Sequence, residues 1–154
     1  VAYLTNALSE HRNMPNTALF HPVNGTRSFG QVPPSNSRGA IISGGEIRLL
    51  RGKHTGPNKG FGARHIWAEH LKEMAAIGLH AEDEVPHYVA SIVRTGIPLY
   101  FSGDSFRHVR LMAVRASAGT AILEYRYQRD TSFWSVVTAY SANKKHGTLV
   151  GSVL

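Results

Sequence analysis

RGKHTGPNKGFGARHIWAEH, residues 51 to 70, decides how this chain is read. The stretch holds four Gly, one Pro, three of the nine His, and Arg51, Lys53 and Lys59 ahead of the point where a helix starts. Gly52, Gly56, Pro57, Gly60 and Gly62 punctuate the first half too often for regular structure, so an irregular basic loop is expected there. The second half turns amphipathic at about Gly62, and the predicted helix runs to Ile77. On a helical wheel Ala63, Ile66, Trp67, Leu71, Met74 and Ile77 share one stripe. His70 falls within that stripe, and His65 lies opposite, beside Glu69 and Lys72. Two His five apart then share no face, which excludes an HExxH-type metal pair. A basic loop feeding a helix with a His in its first turn points to phosphate chemistry, because helix starts and cations attract anions and His moves protons.

Outward from that stretch the chain reads as helices followed by strands. Gly78 ends the first helix. A second starts at Asp83 or Glu84, with Pro86 in its first turn, and runs to about Arg94 with Tyr88, Val89, Ile92 and Val93 on its apolar side. The remainder reads as an antiparallel meander: Leu99 to Ser102, His108 to Ala116, Thr120 to Gln128, Phe133 to Ser141, and a returning edge strand from Thr148 to Leu154. Ala121, Leu123, Tyr125 and Tyr127 alternate with Ile122, Glu124 and Arg126. Trp134, Val136, Thr138 and Tyr140 alternate with Ser135, Val137 and Ala139. Lys144 to Gly147 makes a basic turn. Upstream, Glu46 to Arg51 is a short first strand. Residues 1–44 are broken by Asn, Pro and Gly after a short helix at Val1 to Ser9, and read as a linker or N-terminal extension anchored by Phe20 and Phe29. Residues 45–154 are the expected functional domain. The expected class is α+β, with two N-terminal helices packed on a twisted antiparallel β-sheet.

Composition narrows the function. The chain has 154 residues, 42% of them hydrophobic, enough for one domain with a core. Its 17 Lys and Arg against 10 Asp and Glu give a formal charge of +7. That favours a polyanionic partner: nucleic acid, an acidic protein or an anionic surface. Cysteine is absent, which excludes a disulfide framework and a Cys-based zinc site. No run reaches the ~18 apolar residues of a membrane span. The chain begins at Val1 with no signal peptide, and reads as a piece of a longer polypeptide.

The chemistry-bearing residues are His, Lys, Arg, Thr and Tyr. There is no P-loop, no GxSxG and no Cys nucleophile. Scattered carboxylates do not suit a two-metal nuclease, so no metal and no cofactor is expected. The set present suits metal-free RNA cleavage. A base takes the 2′-OH proton, the 2′ oxygen attacks phosphorus, an acid protonates the leaving 5′ oxygen, and a cation or hydroxyl stabilises the phosphoryl charge. His65 reads as acid/base or as an exposed helix His. His70 reads as catalytic or as a core His with one hydrogen bond. Lys53, His54 and Lys59 read as phosphate-binding loop residues or as solvated ones. Thr138, Tyr140 and Arg126 read as site residues or as ordinary strand residues. His87, His108 and His146 read as surface His. Trp134 and Tyr127 read as base-stacking or core aromatics.

These residues carry a family resemblance. Gly52, Lys53, His54, Asn58, Gly60, Gly62, His65, Ile66 and His70, then Val136 to Tyr140 (VVTAY), resemble the Barnase–EndoU–colicin–RelE group of toxin ribonucleases. The likeness is greatest to the C-terminal toxin domains of bacterial contact-dependent inhibition proteins, and covers about residues 45–154. The resemblance implies two helices on a twisted antiparallel sheet with the site in its cleft. It implies metal-independent cleavage of RNA, tRNA foremost, in a target cell's cytoplasm after delivery by a secreted or surface protein. It implies a cognate immunity protein that blocks the site, and allows a host activator. By position it makes His65, His70, Thr138, Tyr140, Lys53 and His54 catalytic candidates, and Lys59, Asn58, Arg64 and Arg126 candidates for RNA or phosphate binding.

Two other functions compete. An ADP-ribosyltransferase toxin would use NAD, with Ile47 to Arg51 imitating its Arg-bearing strand; the late Glu-x-Glu or Gln-x-Glu pair it needs is missing after Glu124. A non-catalytic RNA-binding module needs the basic and aromatic residues but no acid/base pair.

Overall fold

The computed structural model describes residues 14–37, 40–104, 109–143 and 147–154. The helix expected at Val1 to Ser9, His108, and Lys144 to His146 of the basic turn lie outside them.

The architecture corrects the expected one. In place of two N-terminal helices on an antiparallel sheet, a seven-stranded mixed sheet is wound nearly closed and, among the described residues, carries two short helices. Strands come first. β1 (Gln31–Val32), β2 (Ser35–Ser37), β3 (Ala40–Ile42), β4 (Gly45–Arg48), β5 (Lys53–Gly56) and β6 (Lys59–Phe61) all precede helix α1 (Gly62–Ala75). Then follow a 3₁₀ turn at Glu82–Glu84, helix α2 (Val85–Ile92), β7 (Pro98–Asp104), β8 (Val109–Ala116), β9 (Gly119–Gln128), β10 (Thr131–Tyr140) and β11 (Thr148–Ser152).

The large sheet has the order β1-β4-β10-β9-β8-β7-β11. β4 runs parallel to β10, with Ile47 beside Trp134, and the other neighbours are antiparallel. The outer edges meet. Gln31 and Leu154 exchange backbone hydrogen bonds, 3.1 Å from Gln31 N–H and 2.9 Å from Leu154 N–H. Val153 is tied on its other side to Gly96 and Ile97. Closure hides strand edges that would otherwise seek partners.

The core lies between the sheet and the helices. Ile47, Leu49, Ile66, Met74, Tyr88, Val89, Ile92, Leu99, Met112, Leu123, Trp134 and Val136 are all buried there. Burial at this scale contributes roughly 1.5–3 kcal/mol for each large side chain before entropy is counted. Residues upstream of 45 join it: Phe29, Val32 and Ile42 are buried, while Phe20 is exposed. No described helix is long and apolar enough to cross a membrane.

Two local irregularities shape the helix face and β10. α1 leaves helical geometry at His70 (φ −129°, ψ 22°). Up to that kink Ala63 and Ile66 are buried as the stripe requires; beyond it Leu71 and Ile77 are exposed, and of the distal stripe Met74 is buried. In β10 the pairing with β9 slips between Val136 and Thr138, a bulge at Val137. A bulge inserts one residue and reverses the alternation beyond it. Val136 and Ala139, three apart, therefore both belong to the core. Thr138 and Tyr140 take the other phase.

The stretch expected as an irregular loop is a two-stranded hairpin, β5–β6, with Asn58 at φ 59° in its turn. Glycine is what permits this compactness. A Cβ on Gly52 would lie 1.8 Å from the Phe61 carbonyl oxygen, so the chain entering the hairpin passes directly against the chain leaving it.

Candidate active site

The hairpin folds back over α1, and α1 packs on β10. Between helix and strand lies a cleft of about 360 Å³ lined by Asn58, His65, Glu69, His70, Glu73, Thr138, Tyr140 and Ala142. On a straight helix His65 and His70 would face apart. The kink at His70 breaks that geometry, and both line the cleft.

His65 is buried, with 5% of its surface exposed. Its Nδ1 lies 3.0 Å from His54 Nδ1, a nitrogen-to-nitrogen hydrogen bond in which one ring donates and the other accepts. Gly60 makes this approach possible, since a Cβ there would stand 2.9 Å from His65 Nδ1 and 2.2 Å from the Lys53 carbonyl oxygen. His65 Nε2 lies 3.8 Å from Glu69 Oε1, too far for a hydrogen bond. Glu69 Oε1 instead accepts the Asn58 N–H at 2.6 Å, which pins the hairpin turn to the helix. Burial pushes the His65 pKa below its ordinary value of 6.5; Glu69 opposes this, and His54 and His70 reinforce it. His65 is therefore neutral at pH 7, with Nε2 on the cleft side.

His70 is held differently. Its Nδ1 bonds to Glu73 Oε2. Glu73 Oε1 accepts the Ser141 N–H at 2.7 Å and the Ser141 hydroxyl at 2.5 Å, so the carboxylate ties α1 to the end of β10. Burial pushes the Glu73 pKa up, but the Ser141 bonds and His70 outweigh it and hold the carboxyl below the usual range. An ionised Glu73 fixes the proton of neutral His70 on Nδ1 and leaves Nε2 for the cleft. The His70 ring also rests 5.9 Å from the Tyr140 ring.

From the strand side come two hydroxyls. Thr138 Oγ1 is buried and makes no hydrogen bond within the described protein. A buried hydroxyl without a partner is costly, so a substrate oxygen there gains more than it would at a solvated one. Burial pushes the Tyr140 pKa up against a smaller opposing pull from Arg115, so the phenol stays protonated and can donate.

Of the ten residues singled out from sequence, Asn58, His65, His70, Thr138 and Tyr140 meet in the cleft, and His54 braces it from behind. Lys53 and Lys59 are exposed on the hairpin. Arg64 lines a separate groove with Arg51, Glu82 and Asp83. Arg126 stacks on the Phe61 ring, 4.6 Å from its centre. Sequence reasoning missed Glu73 and Ser141. The His-x-x-Glu spacing from His70 was a signal for Glu73, since residues three apart share a helix face. Nothing in the sequence pointed to Ser141.

Comparison with known proteins brings no match: no family model, no curated protein and no solved structure matches this chain. The functional reading therefore rests on the cleft.

Proposed function

We propose that the chain is an endoribonuclease that cleaves RNA by 2′-OH attack without needing a metal ion. The observation that carries this reading is the convergence of His65 and His70 on one cleft, each oriented through Nδ1 so that Nε2 is left for substrate.

His65 acts as base. With its Nδ1–H donated to His54, the Nε2 lone pair takes the proton of the ribose 2′-OH. The 2′ oxygen bonds to the adjacent phosphorus, and the bond from phosphorus to the 5′ oxygen breaks. Protonated His70 gives its Nε2 proton to that leaving oxygen, with Glu73 retaining the Nδ1–H. The products are a 2′,3′-cyclic phosphate and a 5′-hydroxyl. Thr138 and Tyr140 donate to the phosphoryl oxygens as charge gathers there. Lys53 and Lys59, with the net +7 charge, draw the RNA backbone in. tRNA as the favoured substrate, delivery by a secreted or surface protein into a target cell and a blocking immunity protein come from the family resemblance, carried by the loop–helix motif and the Val136 to Tyr140 strand; a host activator would be a further partner.

Purified chain incubated with total RNA in EDTA tests the reading. Discrete fragments ending in 2′,3′-cyclic phosphates, absent with His65→Ala and with His70→Ala, are expected. Intact RNA from the folded chain, with and without a host lysate, would refute it. RNA bound but never cut would instead mark a binding module.

A further inference from the structure

We infer that His54, His65 and Glu69 form a binding site for Zn²⁺ or a similar borderline divalent cation, and that the ion silences the cleft when bound. The binding claim stands apart from the ribonuclease reading; the silencing claim rests on it.

One ligand atom from each of these residues can be chosen so that all lie within 4.8 Å of one another. They come from two elements that the fold presses together: His54 from β5, and His65 with Glu69 from one face of α1, four residues apart. The two imidazoles face each other nitrogen to nitrogen at 3.0 Å. Such a pair is bridged by a single proton or by a metal ion. Tetrahedral zinc with bonds of ~2.0–2.1 Å sets its donors about 3.3 Å apart, so the pair needs to open by only a few tenths of an ångström. The carboxylate must move further, and it is the less buried partner.

The surroundings support these ligands. Glu69 is held by the Asn58 N–H, a bond of the kind that orients metal-binding carboxylates. His54 is exposed, which gives an ion a way in. Two imidazoles and one carboxylate suit zinc, cobalt or nickel and are poor for magnesium or calcium. Three protein ligands leave a fourth position for water or an anion. An ion held there occupies the ring that the proposed mechanism needs as base, and its loss frees that ring.

The test titrates the intact, EDTA-stripped chain with Co²⁺, followed by visible absorption, and then with Zn²⁺ as competitor. One tightly bound equivalent with the intense bands of a tetrahedral site is expected, displaced by Zn²⁺. His54→Ala and Glu69→Gln should each weaken binding at least about tenfold, since each removes a ligand. His87→Ala, on the exposed side of α2, should leave binding unchanged. Absence of the bands at stoichiometric Co²⁺, or binding as tight as wild type in both ligand variants, overturns the site. RNA cleavage that continues at saturating Zn²⁺ overturns the silencing. A chain that binds the ion but cuts no RNA under any condition keeps the site and removes the ribonuclease reading, so the two fail separately.

Discussion

The two banks of the α1 kink hold their histidines in opposite ways. On the N-terminal bank His65 is buried and leans on another imidazole, with its carboxylate neighbour beyond hydrogen-bond reach. On the C-terminal bank His70 is half-buried and bonded directly to an ionised glutamate that is itself anchored on Ser141. In the proposed reaction this difference gives a single helix two proton-transfer groups of unlike character. Burial beside another ring favours the neutral base. Contact with a carboxylate fixes the tautomer and supports a donor. A site of two identical environments would have no such division of labour.

The largest effect should come from removing either histidine. His65→Ala and His70→Ala are each expected to lower kcat by about 10²–10⁴-fold, with the fold retained by circular dichroism. The asymmetry predicts more. The acid limb of kcat/KM in the wild type should lie below pH 6.5, because the His65 pKa is held down, and it should vanish in His65→Ala. An acid limb above pH 6.5, or one that survives in that variant, would break the comparison.

Thr138→Val probes the ground shared by both banks. The substitution keeps the volume and removes a buried hydroxyl that has no hydrogen-bond partner among the described residues. Thermal stability should hold or rise, while kcat falls by about 10²-fold if the hydroxyl serves the phosphoryl oxygen. A rate unchanged alongside the stability gain would make Thr138 a strand residue and nothing more.

Glu73→Gln sharpens the contrast on the C-terminal bank alone. The folded carboxyl titrates below its ordinary value near 4.5, so its contribution to stability is present above that pH and is lost as pH falls through the folded value. The variant should therefore show a flatter melting temperature than wild type as pH falls below the ordinary carboxyl value of 4.5. kcat should fall by roughly tenfold with KM little changed, as expected for a group that positions His70. Acid profiles that overlay would show that Glu73 is not held as described.

The smallest effect belongs to the hairpin. Lys59→Ala should weaken RNA binding uniformly across sequences and reduce the salt slope by about one, leaving kcat at saturation intact.

The sequence made parts of this legible and concealed others for identifiable reasons. The alternation of Ala121, Leu123 and their neighbours marked β9, and Pro86 marked the start of α2, because both signals are local. The parallel pairing of β4 with β10 is not local. It joins Ile47 to Trp134 across most of the chain, and no periodicity announces it. The glycines of the hairpin looked like breakers, yet Gly52 and Gly60 are there because backbone passes backbone too closely for a side chain. The cleft depended on two departures from regularity, the kink at His70 and the bulge at Val137. A wheel and an alternation both assume that such departures do not occur. So the wheel named His65 and His70 as candidates while setting them on opposite faces, and only the family resemblance placed them in one site.

The seam between Gln31 and Leu154 also bears on how the molecule comes to be. It joins points separated by nearly the whole described chain, so its closure carries the largest chain-entropy cost of any backbone pairing in the sheet. Such contacts form late. Before they form, β1 and β11 present open edges, able to template pairing with another copy. Val153 and Leu154 thus decide when the folding sheet stops being adhesive.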